Sequence, residues 1–129
     1  MGNELRDKIP GKELDESKSM EISKKIIEAL NPNNLSLLEL WKKELKRITK
    51  EDAIDYYKNN SINEYYMLYT YYVNKKEINY VYIANKQNVI NFIKDEFNEE
   101  WDEGFDITIS DIEFKKIIMG NHDGILVTR

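Results

Sequence analysis

Cysteine is absent from the 129 residues, which removes disulfide frameworks, thiolate zinc sites, iron–sulfur clusters and cysteine nucleophiles together. Histidine occurs once, at His122. Long apolar runs are missing as well. Charges interrupt every hydrophobic stretch well short of the roughly 18 residues that a membrane-spanning helix needs, so no membrane partner is expected. The residues from Met1 to Asp7 carry Glu4 and Asp7 where a secretory signal needs bases and then an apolar run, and Arg6 stands where N-myristoylation wants Ser or Thr. The expected location is therefore cytoplasmic. P-loop, Gly-x-Gly-x-x-Gly and Gly-x-Ser-x-Gly strings do not occur, which leaves the usual nucleotide binding and serine-hydrolase chemistry without a foothold. No cofactor is expected. Alanine is scarce, while Asn, Ile, Lys and Tyr make up 56 residues, the bias that AT-rich coding DNA leaves in a low-GC bacterium, its phages or its plasmids.

What is present suits a folded chain. An apolar fraction of 41% and an aromatic fraction of 12% provide enough side chain for a core, and the length fits one compact domain. Net charge is −5, and the excess lies wholly in the second half. It condenses between Asp95 and Asp106, where Asp95, Glu96, Glu99, Glu100, Asp102, Glu103 and Asp106 have no Lys or Arg among them. The opposite sign gathers at Lys42, Lys43, Lys46, Arg47 and Lys50.

Residues 1–13 are polar and include the turn dipeptide Pro10-Gly11, so they read as a flexible arm ahead of a single α+β domain over 14–129. From about Ser17, Met20, Ile22, Ile26, Ile27 and Leu30 recur at helical spacing until Asn31-Pro32-Asn33-Asn34 ends the pattern. Ser36 with Glu39 forms a capping box for a second helix, whose Leu38, Trp41, Leu45 and Ile48 share one arc while the basic residues take the opposite side. Thr49 and Asp52 repeat the capping pattern for a third, ending at Asn59-Asn60. The run from Asn63 to Val73 is dense in aromatic and β-branched residues and reads as a strand. It joins a second, Ile78 to Ala84, through the connection Asn74-Lys75-Lys76-Glu77. Helical period returns near Asn88 with Val89, Ile90, Ile93, Phe97 and Trp101, and Gly104 suits the exit. Short strands are expected at 105–109, 112–119 and 125–128, although Ser110 and Glu113 also fit a capping box that would make 111–118 a helical turn. The expected fold is α+β. N-terminal helices precede a mainly antiparallel sheet of four to five strands, with one long helix packed on it.

Two strings resemble catalytic motifs. Gly120-Asn121-His122-Asp123, after an apolar strand, resembles the Gly-Asn-His-Asp/Glu block of calcineurin-like metallophosphoesterases, where Asn and His serve a two-metal centre. That resemblance implies metal-assisted phosphoester hydrolysis, but one histidine with scattered carboxylates does not rebuild a dinuclear site, and no metal ligands are assigned. Asp106 with Glu113 and Lys115 is similar to the core of PD-(D/E)xK nucleases, implying Mg²⁺ held by the acids and water steadied by the lysine. Against it, a net negative field repels nucleic acid.

The basic residues Lys42, Lys43, Lys46, Arg47 and Lys50 on one helix back are the candidate contacts for nucleic acid, with tyrosines 65, 66, 69, 71, 72, 80 and 82 as possible stacking surfaces. The pI near 5.0 opposes this. The acidic stretch offers a different chemistry: carboxylates around Phe97, Trp101 and Phe105 steer a cationic partner, and the aromatics anchor it. The first expectation is thus a small non-enzymatic inhibitor that binds a basic protein, such as a nuclease toxin or a nucleic-acid-binding defence protein. Its contacts are Asp95, Glu96, Glu99, Trp101, Asp102 and Glu103, with no catalytic residue. A nucleic-acid-binding regulator using the 42–50 helix is the second expectation, and a Mg²⁺-dependent nuclease the third.

Overall fold

The computed structural model describes residues 9–96, 106–120 and 125–129. Within them lie β1 (Lys12–Glu13), α1 (Glu16–Leu30), α2 (Leu37–Lys43), β2 (Lys46–Ile48), α3 (Lys50–Asn59), β3 (Glu64–Val73), β4 (Lys76–Asn85), α4 (Lys86–Glu96), β5 (Asp106–Asp111), β6 (Ile117–Gly120) and β7 (Leu126–Thr128). The strands form one antiparallel sheet in the order β1-β4-β3-β5-β6-β7-β2.

Helix ends follow their local chemistry. The Asp15 carboxylate accepts from the Lys18 N–H at 2.7 Å and opens α1. Thr49 and Asp52 satisfy each other's backbone N–H groups at the start of α3, which ends at Asn59 as its sequence predicts. Between β3 and β4 the connection is tighter than expected. Asn74 and Lys75 alone bridge Val73 and Lys76, and both have positive φ (52° and 64°), the geometry of the type I′ turn that matches strand twist.

β3 positions everything else. Tyr65, Met67 and Tyr69 point to one face and Leu68 to the other, all at most 2% exposed, so both faces of the strand need cover. The first face packs under α3 and α4, through Ala53, Tyr57, Val89 and Ile93. The second packs under α1 and α2, through Ile22, Ile26, Leu30 and Leu40. Helices therefore cover both sides of the sheet, instead of one long helix on one side, because β3 carries apolar side chains in both phases of its alternation.

The sheet among the described residues has seven strands, against an expected four to five. One of the additional strands, β2, lies where a continuous second helix was expected: α2 stops at Lys43, the Glu44 N–H closes it on the Leu40 C=O, and Lys46–Ile48 pairs with β7. Leu45 and Ile48 are three apart, a spacing that fits a helix face, but sheet pairing sends Leu45 to one core cluster and Ile48 to the other. The other, β1, falls in the stretch read as an arm. Its pairing with β4 and the 7% exposure of Ile9 tie residues 9–13 to the core. Gly11 (φ +91°) lies flat on β4, where an added Cβ would meet the Ile83 carbonyl oxygen. Segment 112–116 is neither strand nor helix, and β6 starts only at Ile117. Replacing Lys75, a side chain held in the left-handed region, by Gly should raise stability by about 1 kcal/mol. Urea unfolding with an unchanged m-value checks it.

Candidate functional site

α4 follows directly from Asn85 and carries Asp95, and β5 resumes at Asp106 opposite Thr70, itself opposite Asn79. Asp95 is exposed in the last turn of α4. The described part of α4 reaches Glu96, while Glu99, Trp101, Asp102 and Glu103 lie outside the described residues. The Lys50 ammonium group donates to the Lys94 C=O at 2.8 Å. Among the described residues no cation pairs with Asp95.

The basic set does not share one helix face. Lys42 and Lys43 end α2, Lys46 and Arg47 lie on the edge strand β2, and Lys50 opens α3. Lys43 pairs with Glu39 at 3.4 Å. The cationic helix back expected over 42–50 is therefore divided among three elements, because the chain leaves helical geometry after Lys43 to pair with β7.

The acids and lysine that resemble a nuclease core are also separated. Asp106 begins β5, whereas Glu113 and Lys115 lie in the turn beyond its other end, about 17 Å along the strand from Asp106. Glu113 and Lys115 pair with each other at 3.4 Å, both exposed. The acid that organises this turn is Asp111, only 1% exposed. Its Oδ1 accepts the Glu113 N–H at 2.7 Å and its Oδ2 the Lys116 N–H at 2.8 Å, with the Lys115 N–H shared between them. The fold so made puts Phe114 at φ 59°, stacked on Tyr66 with ring centroids 5.7 Å apart. No group of three or more potential metal ligands occurs among the described residues. Of the Gly-Asn-His-Asp string only Gly120 is described, closing β6.

Tyrosines 65, 66, 69, 80 and 82 pack in or against the core, and the side chains of Tyr71 and Tyr72 are not among those described. Tyr65, Tyr69 and Tyr82 are buried, and Tyr80 stacks on Tyr69. Tyr57 stands edge-on between Tyr56 and Tyr65, with centroids 5.1 and 5.0 Å away. Burial, reinforced by Tyr56, Tyr65 and the Asp111 carboxylate, pushes the Tyr57 hydroxyl well above its ordinary value. Burial, then Tyr56 and Asp111, raises Tyr65 to about 12.

One surface has no forerunner in the motifs. A groove of about 730 Å³ runs between the start of α1 and the beginning of β4, lined among others by Glu13, Asp15, Glu16, Met20 and Glu77. Its acids come from distant parts of the chain, and the three at 13–16 are flanked by Lys12 and Lys18, so a charge count does not set them apart. The signal available was Met20, an apolar residue on the edge of the α1 stripe that the structure leaves 68% exposed.

Comparison with protein-family models, with curated proteins and with solved structures finds no match. The case for function rests on the chain's own surfaces.

The tyrosine cluster sets an alkaline limit. Its folded-state pKa values lie above the ordinary value of 10.0, so the folded state holds its protons where the unfolded state releases them. The stability this provides is complete below pH 10 and is lost as pH rises toward about 12. Unfolding in that window should coincide with tyrosinate absorbance near 295 nm, and Tyr57→Phe should move the midpoint upward.

Proposed function

We propose that this chain is a small non-enzymatic protein that binds and blocks a basic protein partner, in the manner of a toxin-immunity protein or a phage-encoded inhibitor of host defence. Its partner is a nuclease toxin or a nucleic-acid-binding defence protein, cationic because it must hold phosphates, and the two meet in the cytoplasm. The contact surface is Asp95, Glu96, Glu99, Trp101, Asp102 and Glu103. The carboxylates raise the encounter rate, and Trp101 contributes apolar contact once the surfaces meet.

The observation that supports this reading is where the acids begin. Asp95, the first of them, is exposed on α4 and without an ion pair among the described residues. A carboxylate that the fold neither buries nor pairs is available to a cationic partner. The finding that no helix among the described residues is long and apolar enough to cross a membrane agrees with a partner that is not a membrane.

The test begins with affinity capture from the native host and continues with association kinetics on the captured protein. Reversing Glu99, Asp102 and Glu103 to Lys should slow association at least tenfold, roughly, at low ionic strength, with dissociation much less affected, and the native pair should associate more slowly as salt rises. An unchanged association rate rejects this surface. Asp95→Asn should slow association by a smaller factor than the triple reversal. A gel shift with mixed DNA and RNA at low salt, abolished by Lys46→Glu with Arg47→Glu, replaces the proposal with the nucleic-acid reading.

A further inference from the structure

β4 is ten residues long, and β1 pairs with only two of them, Tyr82 and Ile83. One more bond follows, from the Leu14 N–H to the Val81 C=O at 2.9 Å, before the chain turns away into α1. That bond fixes the phase of the edge. Backbone groups alternate between the two sides of an antiparallel strand, so the odd-numbered residues of β4 direct theirs away from β3. Register with β3 is unbroken from Lys76 to Asn85, and Glu77 and Asn79 therefore turn their N–H and C=O groups outward. Among the described residues no strand pairs with them on that side. A row of this kind is a template for one more strand.

The groove lies along this same stretch. The residues lining it include Asp15, Glu16 and Glu77 with one cation, Lys76, while the carboxylate of Glu13, opposite Tyr82, accepts from the Tyr82 hydroxyl at 3.0 Å on the other face. Glu16 and Glu77 form no ion pair among the described residues. Met20 supplies an exposed apolar wall. We propose that the edge of β4 at Glu77–Asn79 binds an extended cationic segment of a partner protein, which adds to the sheet as a further antiparallel strand in line with β1. The site uses none of the residues 95–106 and does not rest on the function proposed above.

The register specifies the pattern of that segment. Directly opposed residues on antiparallel strands project to the same face. Glu77 and Asn79 share the face of Val81, which packs in the core beneath α1. Residues opposite them meet Glu16 and Met20, where Lys or Arg pairs with the acid and lays its stem on the thioether. The residue between falls beside Ile78, on the face of Tyr80 and Tyr82, and suits a β-branched apolar side chain. The segment thus alternates basic and apolar residues over about four to six positions.

The probe is a fluorescent, end-blocked Lys-Val-Lys-Val-Lys-Val peptide titrated onto the full-length protein at about 50 mM salt, with amide hydrogen exchange followed by NMR. Saturable binding with slowed exchange at Glu77 and Asn79 is expected. Glu77→Pro removes one outward N–H at a position where an edge strand tolerates proline, and it should abolish binding. Glu16→Lys with Glu77→Lys leaves the backbone intact and should weaken binding about tenfold, which keeps the test decisive if the proline variant does not fold. The proposal is overturned by lack of saturation to about 1 mM, by unchanged exchange at both amides, or by equal binding of a backbone N-methylated peptide. Dimers of the free protein that protect the same amides overturn it too, since the occupant is then a second copy. Peptide binding that survives both Glu77 variants but is lost on reversing Glu99, Asp102 and Glu103 assigns the peptide to the other surface.

Discussion

The fold depends on one strand that must be covered twice. β3 is hydrogen-bonded to β4 along its whole length and to β5 over Tyr65–Thr70, and it sends large side chains into both core clusters. A strand with apolar groups in both phases cannot lie on the surface of a two-layer protein. α1 and α2 therefore close one side and α3 and α4 the other, and each helix needs only the narrow apolar stripe that its sequence provides. The charged fraction of 33% is accommodated because each helix retains a wide solvent face.

Where polar groups enter this interior they are satisfied in ways that tie elements together. Asp111 takes three backbone N–H groups of its own turn, which settles a buried carboxylate and fixes the entry angle of β6. At the opposite margin Arg129 donates to the Leu30 C=O at 3.0 Å and to Glu44 at 2.6 Å, joining the ends of α1 and α2 to the strand β7. Arg129, and then Asn33, hold the Glu44 carboxyl below the usual carboxylate range. Both carboxylates are structural ties, Asp111 to backbone N–H groups and Glu44 to a guanidinium.

The elements legible in the sequence were those whose signals are local. Thr49 with Asp52, the stop at Asn59-Asn60, the helix from about Ser17 to Leu30 and the Tyr-rich hairpin each follow from capping or periodicity within about ten residues. The elements missed were decided at long range. β2 satisfied a helical pattern and became a strand because β7, some eighty residues later, offered a partner. β1 has two residues and no pattern to read. At 111–116 the sequence pointed to Ser110 and Glu113 as a capping pair, but the neighbouring Asp111 carboxylate takes N–H groups as far as Lys116 and so closes a loop, where a helix would have been opened. The acidic segment was visible as composition alone, and the groove was invisible because its carboxylates meet only when β1, α1 and β4 are assembled.

Those two outer edges show how charge governs what the sheet admits. β2 ends the sheet with three residues, two of them Lys46 and Arg47, and a short cationic edge resists further pairing. The other end is longer and only partly covered by β1, and its carboxylates outnumber its cation. Two copies meeting there in antiparallel register bring Glu77, Asp15 and Glu16 of one against the same groups of the other, so like charge opposes self-pairing at the row of backbone groups that most invites it. A cationic strand meets no such barrier and gains both the ladder bonds and the ion pairs. An edge that is open in backbone terms, yet selective in electrostatic terms, can refuse its own copy and still offer a surface to one chemical class of partner.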